Sequence, residues 1–302
     1  MKLGVILLNW NNGLVTAAAA RMAAGWKSCN TAVYVVDNGS ADNCRGALAS
    51  ECPQVNYFYS NKNLGYGAAN NLAIRKAISS GCDTILLLNN DATIREDDVN
   101  RLARTLNSDR TIGIVGPLLK ERHGGREDWS VGGLNIATHI RTRRRVDADG
   151  RKALRGKGPI AVDYVPGTVL MARSYVFRNI GMLEEEYFFS GEIADFCECA
   201  RRGGFVSMVD PDVEAAHTID DTSLVRASLY RYYNLRNRFL YIRRQRARQA
   251  LWLRPWWTVC GLAMIVKTGL LLDMPAARAA RLGMRDGLAG RFGDRNNLVL
   301  GA

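Results

Sequence analysis

Two short stretches hold the side chains best equipped for chemistry. LLLNND (86–91) ends an apolar run on two amides and a carboxylate, and GEIADFCECARRGG (191–204) holds Glu192 and Asp195 three residues apart. Read as a helix, the second stretch buries Ile193, Phe196, Cys197 and Ala200 in one stripe and brings Glu192 and Asp195 together on the stripe beside it. Carboxylates facing one way can take a proton from a bound hydroxyl. The sequence clusters Asn, Asp and Gly again at 9–12, 37–40 and 61–67, and DPDVEAAH ends on His217. Any one cluster could merely turn the chain or cap a helix.

The elements that position these clusters argue for more. LGVILL, AVYVV, VNYFYS and DTILLL each run directly into one of them. These runs are short, rich in Val, Ile and Leu, and do not alternate with polar residues, as in strands buried on both faces of a parallel sheet. Helical patterns at 14–26, 68–80 and 96–108 lie between and after them. The alternation predicts a doubly wound, mostly parallel α/β domain. In such sheets ligands bind beyond the carboxyl ends of the strands, the edge on which all four clusters fall. The sequence lacks GxxxxGK[ST], and no GxGxxG follows the first strand, so a P-loop or dehydrogenase reading loses its main support.

At 302 residues and 47% apolar the chain can bury an ample core. Its seven cysteines (29, 44, 52, 82, 197, 199 and 260) are odd in number and irregularly spaced, which indicates neither a disulfide framework nor a zinc cage. The N-terminal apolar run ends at Asn9, too short for the apolar core of a secretory signal, and a reducing cytosol is expected. The net charge of +12 sits wholly beyond residue 223, where fifteen Lys and Arg face three Asp. Residues 1–223 are therefore read as a neutral body and 224–302 as a basic, apolar helical tail. The stretch from Trp256 to Leu272 is seventeen residues long with Lys267 inside, short of a membrane span. It is expected to lie on an anionic membrane surface, arginines on headgroups and Trp252, Trp256 and Trp257 at the boundary. Packing on the body or on a second subunit is the other reading, which leaves a homo-oligomer open. The apolar run argues against nucleic acid as the partner.

In order, VILLNWNN, VVDNGSAD, NLGYGAANN, LLLNND, VPGTVLMAR, FFSGEIADFCECARRGG and DPDVEAAH resemble the GT-A-fold, inverting nucleotide-sugar glycosyltransferases of family 2, in particular the bacterial rhamnosyltransferase-like branch. The resemblance covers about the first 245 residues. It implies transfer of a sugar from a UDP- or dTDP-sugar to a hydroxyl of a saccharide or lipid-linked saccharide, with inversion, in cell-surface polysaccharide synthesis. With the tail, it implies an enzyme on the cytoplasmic face of the inner membrane.

Carried over by position, the resemblance puts Asn9, Trp10 and Asn11 on the nucleotide, Asp37 on a pyrimidine imide, and Gly65 and Asn71 in the donor pocket. Asn89, Asn90 and Asp91 occupy the place of the family's DxD motif, so Asp91 alone supplies a carboxylate to Mg2+ or Mn2+. His217 stands where relatives often hold the metal or diphosphate. Trp129 and Gly167 fall on the acceptor side, and Arg141, Arg143, Arg144 and Arg145 form a basic run near Trp129. Relatives commonly read E-D-x-D where this chain has Ile193 at the second position, so the role of base falls to Glu192 or Asp195. Ile193 also keeps open a non-catalytic assembly partner that binds a nucleotide sugar or saccharide with the same fold.

Overall fold

The computed structural model describes residues 1–28, 30–42, 44–123, 126–217 and 224–301. Its first part follows the predicted alternation, with one further short helix, α2, that the sequence pattern did not mark: β1 (Lys2–Asn9), α1 (Gly13–Ala24), β2 (Asn30–Asn38), α2 (Cys44–Glu51), β3 (Asn56–Ser60), α3 (Tyr66–Ser79) and β4 (Thr84–Asn89). The strands pair in parallel in the order β3-β2-β1-β4. Leu3, Val5, Ile6 and Leu7 of β1 are all buried, because one face of the sheet meets α1 and the other α3.

The chain then runs through β5 (Ala92–Ile94), α4 (Glu96–Ser108), β6 (Ile112–His123), β7 (Arg126–Gly133), β8 (Arg143–Val146), α5 (Ala148–Leu154) and β9 (Ile160–Ala161). It continues with β10 (Val169–Arg173), α6 (Ser174–Ile180), α7 (Glu192–Arg202) and β11 (Val206–His217). Beyond β4 the sheet order is β10-β6-β11-β5, with β10 antiparallel to both neighbours and β11 parallel to β6. Helices α1, α2 and α4 cover one face and α3, α6 and α7 the other. The sheet is thus the mixed, mostly parallel one expected. Helix α7 buries Ile193, Phe196, Cys197 and Ala200, the stripe read from its sequence.

Four helices close the chain: α8 (Leu224–Gln245), α9 (Ala250–Leu270), α10 (Met274–Leu288) and α11 (Asn296–Leu300). Residue 223, the expected end of the body, and Cys29 lie outside the described residues. Helix α8 is buried between the body and α10: Tyr233, Arg236 and Asn237 meet the body, while Tyr232 donates its hydroxyl to Asp286 of α10 (2.8 Å) and Phe239 packs against Gly287. Three guanidiniums find partners there: Arg236 donates to the Tyr187 carbonyl (2.8 Å), Arg238 to that of Ile136 (2.5 Å), and Arg244 pairs with Asp195 (3.1 Å). The basic pattern that suggests headgroups is therefore partly internal. Trp257, expected at a membrane boundary, is 1% exposed and donates its indole N–H to the Ala137 carbonyl at 2.6 Å. Among the described residues no helix is long and apolar enough to cross a membrane. The six described cysteines are free thiols.

Candidate active site

A cleft opens at the carboxyl ends of β1, β2 and β4 as two adjoining cavities of about 950 Å³ and about 520 Å³. Tyr66, Asn89, Phe189 and Arg226 line both. The larger is walled by Trp10, Asn11, Asn38, Asn63, Gly65 and the 89–93 turn, and the smaller by Gly167, Glu192, Ile193, His217 and α8.

Several predicted donor residues brace the larger cavity without lining it. Asn9 is buried, donating to Ser40 Oγ (3.0 Å) and accepting from Thr16 Oγ1 (2.8 Å). Asp37 accepts from the Ser40 N–H (3.1 Å) and the Tyr57 hydroxyl (2.8 Å), and it is Asn38 that reaches the wall. Ser40 in turn accepts from the Asn11 N–H at 2.9 Å, so Asn9 and Asp37 fix the loop that carries Asn11. Asn71 bonds both the N–H and the carbonyl of Leu183. Gly65 has φ +83, and a Cβ there would stand 2.5 Å from the Phe188 carbonyl oxygen, so the turn into α3 requires glycine. Asn90 lines the cavity while donating to Thr16 Oγ1 (2.7 Å).

Asp91 and His217 meet where the two cavities join, on the β4–β5 turn and at the end of β11. His217 Nε2 lies 3.2 Å from Asp91 Oδ1, and neither ring nitrogen nor that oxygen has a well-aligned hydrogen bond. Asp91 and Glu121 outweigh burial and raise the imidazole above its ordinary value. Glu121 on β6, which no sequence motif marks, lies behind His217, with its Oε1 at 3.8 Å from Nδ1. Burial would raise its carboxyl, but His217, Arg143 and Arg145 outweigh that and hold it at about 2. An orphaned carboxylate oxygen beside an orphaned imidazole suits a hard divalent ion, with phosphate and water completing the shell. No three acidic, His or Cys side chains converge on such a site among the described residues.

Glu192 and Asp195 part company. Asp195 is buried against α8, accepting from Tyr187 (3.1 Å), Arg244 (3.1 Å) and Gln245 (2.8 Å), and lines neither cavity. Glu192 lines the smaller cavity with its Oε2 buried and unpartnered. Burial, opposed by a backbone hydrogen bond and reinforced by Asp195, raises its carboxyl to about 7. A carboxyl so placed can accept a proton near neutral pH. Gly167 lies against Ile193, whose Cγ1 would stand 2.8 Å from a Cβ at that position. Trp129 does not reach the cleft: it is buried, donating to Glu214 Oε2 at 3.0 Å between Lys120 and Arg151. Tyr66 was missed although it sits inside NLGYGAANN. Its hydroxyl donates to the Gly167 carbonyl (2.9 Å), tying the two halves together.

Comparison with known proteins agrees with this architecture. The family model described as Glycosyl transferase family 2 matches residues 5–177. The chain is 24% identical over 230 residues to the dTDP-rhamnosyl transferase RfbF of Shigella flexneri, covering 72% of this chain and 73% of that one. It is 30% identical over 209 residues to the low-salt glycan biosynthesis hexosyltransferase Agl10 of Haloferax volcanii, covering 68% of this chain and 65% of the relative. In fold it is similar to the Pyrobaculum calidifontis mannosyltransferase PcManGT, solved with GDP-Man and Mn2+: TM-score 0.59, 14% identity, covering 96% of this chain and 87% of that one.

Proposed function

Because the chain belongs to glycosyl transferase family 2, we propose that it moves a sugar from a UDP- or dTDP-sugar to a hydroxyl of a saccharide or lipid-linked saccharide, inverting the anomeric centre, in glycan assembly. The observation that carries this reading is Glu192: a buried carboxyl, raised to about 7, with an unpartnered oxygen in the smaller half of the cleft. In this reading the nucleotide lies along Trp10, Asn11, Asn38 and Asn63, with its diphosphate at Asp91 and His217. The acceptor enters the smaller half beside Gly167 and Ile193, and Glu192 takes the proton of the attacking hydroxyl as the new bond forms. Asp91 and His217 would hold Mg2+ or Mn2+, which when bound neutralises charge on the departing diphosphate. The dTDP-rhamnosyl relative supports dTDP among the donors.

The enzyme is further read as peripheral on the cytoplasmic face of a membrane, through the face of α9 that bears Leu251, Trp252, Trp256, Val259, Leu262 and Val266, all exposed. The domain division becomes functional rather than spatial: α8 completes the cleft and α9 meets the surface.

Thermal unfolding against UDP, dTDP, GDP and CMP, each with and without Mn2+, tests the donor site. A ligand at a hundred times its dissociation constant adds about 2.7 kcal/mol to the folded state. Metal-dependent stabilisation by UDP or dTDP that disappears in Asp91→Ala is expected. No shift with any nucleotide would move the chain to the saccharide-binding form of the non-catalytic assembly partner that Ile193 keeps open.

A further inference from the structure

Helix α1 holds one residue that its own composition does not explain. Thr16 precedes four alanines and is a poorer helix former than they are. At 0% exposed it also buries a hydroxyl, which is unfavourable unless that hydroxyl is bonded. It is doubly bonded. Oγ1 accepts from the Asn90 amide at 2.7 Å and donates to Asn9 Oδ1 at 2.8 Å, with the Asn12 carbonyl at 3.0 Å as a local alternative. Asn9 extends the connection, because its amide donates to Ser40 Oγ (3.0 Å), which accepts from the Asn11 N–H (2.9 Å). Asn11, at φ +54, also accepts from the Ala41 N–H at 2.8 Å.

The two ends of this chain of bonds stand on the wall of the larger cavity. Asn11 and Asn90 line it, whereas Thr16 and Asn9 line neither cavity. Asn90 shares the β4–β5 turn with Asp91. The ends of that turn are fixed by backbone pairing, Asn89 to the Thr168 carbonyl (2.9 Å) and Ala92 opposite His217. Between them Asp91 reaches toward His217 and Asn90 to Thr16. A hydroxyl can accept from one amide and donate to another through a single atom, and valine, of nearly the same shape, can do neither.

We propose that Thr16 is a positioning residue for the donor: it sets the Asn90–Asp91 turn at a fixed distance from the loop after β1, so that the ion-holding carboxylate and the nucleoside wall are presented together. The inference rests on reading the larger cavity as the donor side. A turn already in place costs little to order when nucleotide and ion arrive together, and preorganisation of this kind is read as affinity. Without the hydroxyl the ion must order the turn, so the gain in nucleotide affinity that the ion brings shrinks while affinity without the ion is kept.

The test is calorimetric titration of the full-length protein with UDP and with dTDP, each in Mn2+ and in EDTA, and the quantity read is the ratio of the two affinities. Thr16→Val is expected to lower that ratio about tenfold, the worth of one hydrogen bond, with affinity in EDTA unchanged, and Thr16→Ser is expected to restore it. Asn90→Ala, on the cavity wall, is expected to lower the ratio as much, and the two changes together no further, because substitutions on one chain of bonds do not add. Asn90→Ala also keeps the test open should Thr16→Val fail to fold. A Thr16→Val protein that melts earlier but keeps the parent's ratio reduces the hydroxyl to a structural bond and overturns the proposal. Equal weakening in Mn2+ and EDTA overturns it too, since Thr16 would then act through Asn9 on the nucleoside loop alone, as does an additive loss in the double variant. Absence of nucleotide binding by the parent, or binding that Mn2+ does not strengthen, is a failure of the donor reading and removes this role with it, so the parent titration decides one question and the variants the other.

Discussion

Glu192 and Asp195 share a helix and a charge, yet their surroundings send them to different tasks. Asp195 is satisfied by Arg244, Tyr187 and Gln245, while Glu192 faces the cleft with an oxygen that nothing satisfies. Replacing Glu192 by Gln should lower kcat by roughly 10²- to 10⁴-fold and abolish the rise in rate that the parent enzyme shows as pH passes about 7. The stability effect has the opposite sign. A carboxyl at about 7 in the folded chain and 4.5 in the unfolded one contributes stability fully below 4.5, lost as pH rises through about 7. Glu192→Gln should therefore raise the melting temperature at pH 8 and leave it unchanged near pH 4.5. Asp195→Asn should instead lower stability by about 1–3 kcal/mol, because Tyr187 and Gln245 lose their buried acceptor while Arg244 keeps Glu184. It should move the rise in rate to lower pH without abolishing it, since the Asp195 charge helps hold the Glu192 carboxyl up. A rise in rate retained by Glu192→Gln, or abolished in Asp195→Asn, would exchange their roles. Sequence spacing put both acids on one stripe and could not choose, because the choice is made by α8, fifty residues further on. Asn9, Asp37 and Asn71 illustrate the same limit, since a polar side chain that binds a ligand and one that braces a loop are spelled alike.

The strands of the first half and helices α1, α3 and α4 were legible because buried parallel strands demand unbroken apolar runs and their connections demand helices, whereas the short α2, with few apolar residues, was not. Helix α8 was legible as a helix but its burial was not, because a basic, aromatic helix reads as a surface element and nothing local reveals that Arg236 and Asn237 face inward. Those two residues hold the segment before α7 in an unusual path. Phe188 and Ser190 have φ of +61 and +69, and Gly191 has φ +108. Positive φ costs a non-glycine residue about 1–3 kcal/mol, so the segment needs restraint. The Asn237 amide nitrogen supplies it, within 3.0 Å of the Tyr187 carbonyl, 2.9 Å of that of Phe189 and 2.5 Å of that of Ser190. Since this segment leads straight into Glu192 and lends Phe189 to both cavities, α8 positions the site as well as stabilising it. Asn237→Ala should lower kcat at least tenfold beyond any loss of folded protein, with hydrogen exchange accelerated at 187–191. A variant that melts earlier but turns over normally when folded would reduce α8 to a structural support.

At the scale of the molecule, one side of α9 is fastened to the body and the other is bare. Leu253, Trp257, Gly261 and Thr268 are buried, while Trp252, Trp256 and Leu262 are 55%, 46% and 49% exposed on the opposite side. A run that is apolar all round suits neither a free surface helix nor a wholly internal one. Lying at an interface satisfies both sides, with indoles at the headgroup level and the body held close to the bilayer plane. Deleting residues 250–302 would be a poor test, because it removes Trp257 from its place over Arg238 along with the exposed face. Replacing Trp252, Trp256 and Leu262 together by Ser removes apolar surface from the exposed side alone. The triple variant should melt within about 2 °C of the parent, since substitutions away from packed features stay within about 0.5 kcal/mol each. It should no longer co-sediment with vesicles containing phosphatidylglycerol, while turnover of a soluble acceptor is kept. Continued co-sedimentation would place the membrane contact elsewhere, and a change from dimer to monomer without loss of vesicle binding would make the bare face of α9 a contact between two copies of the chain.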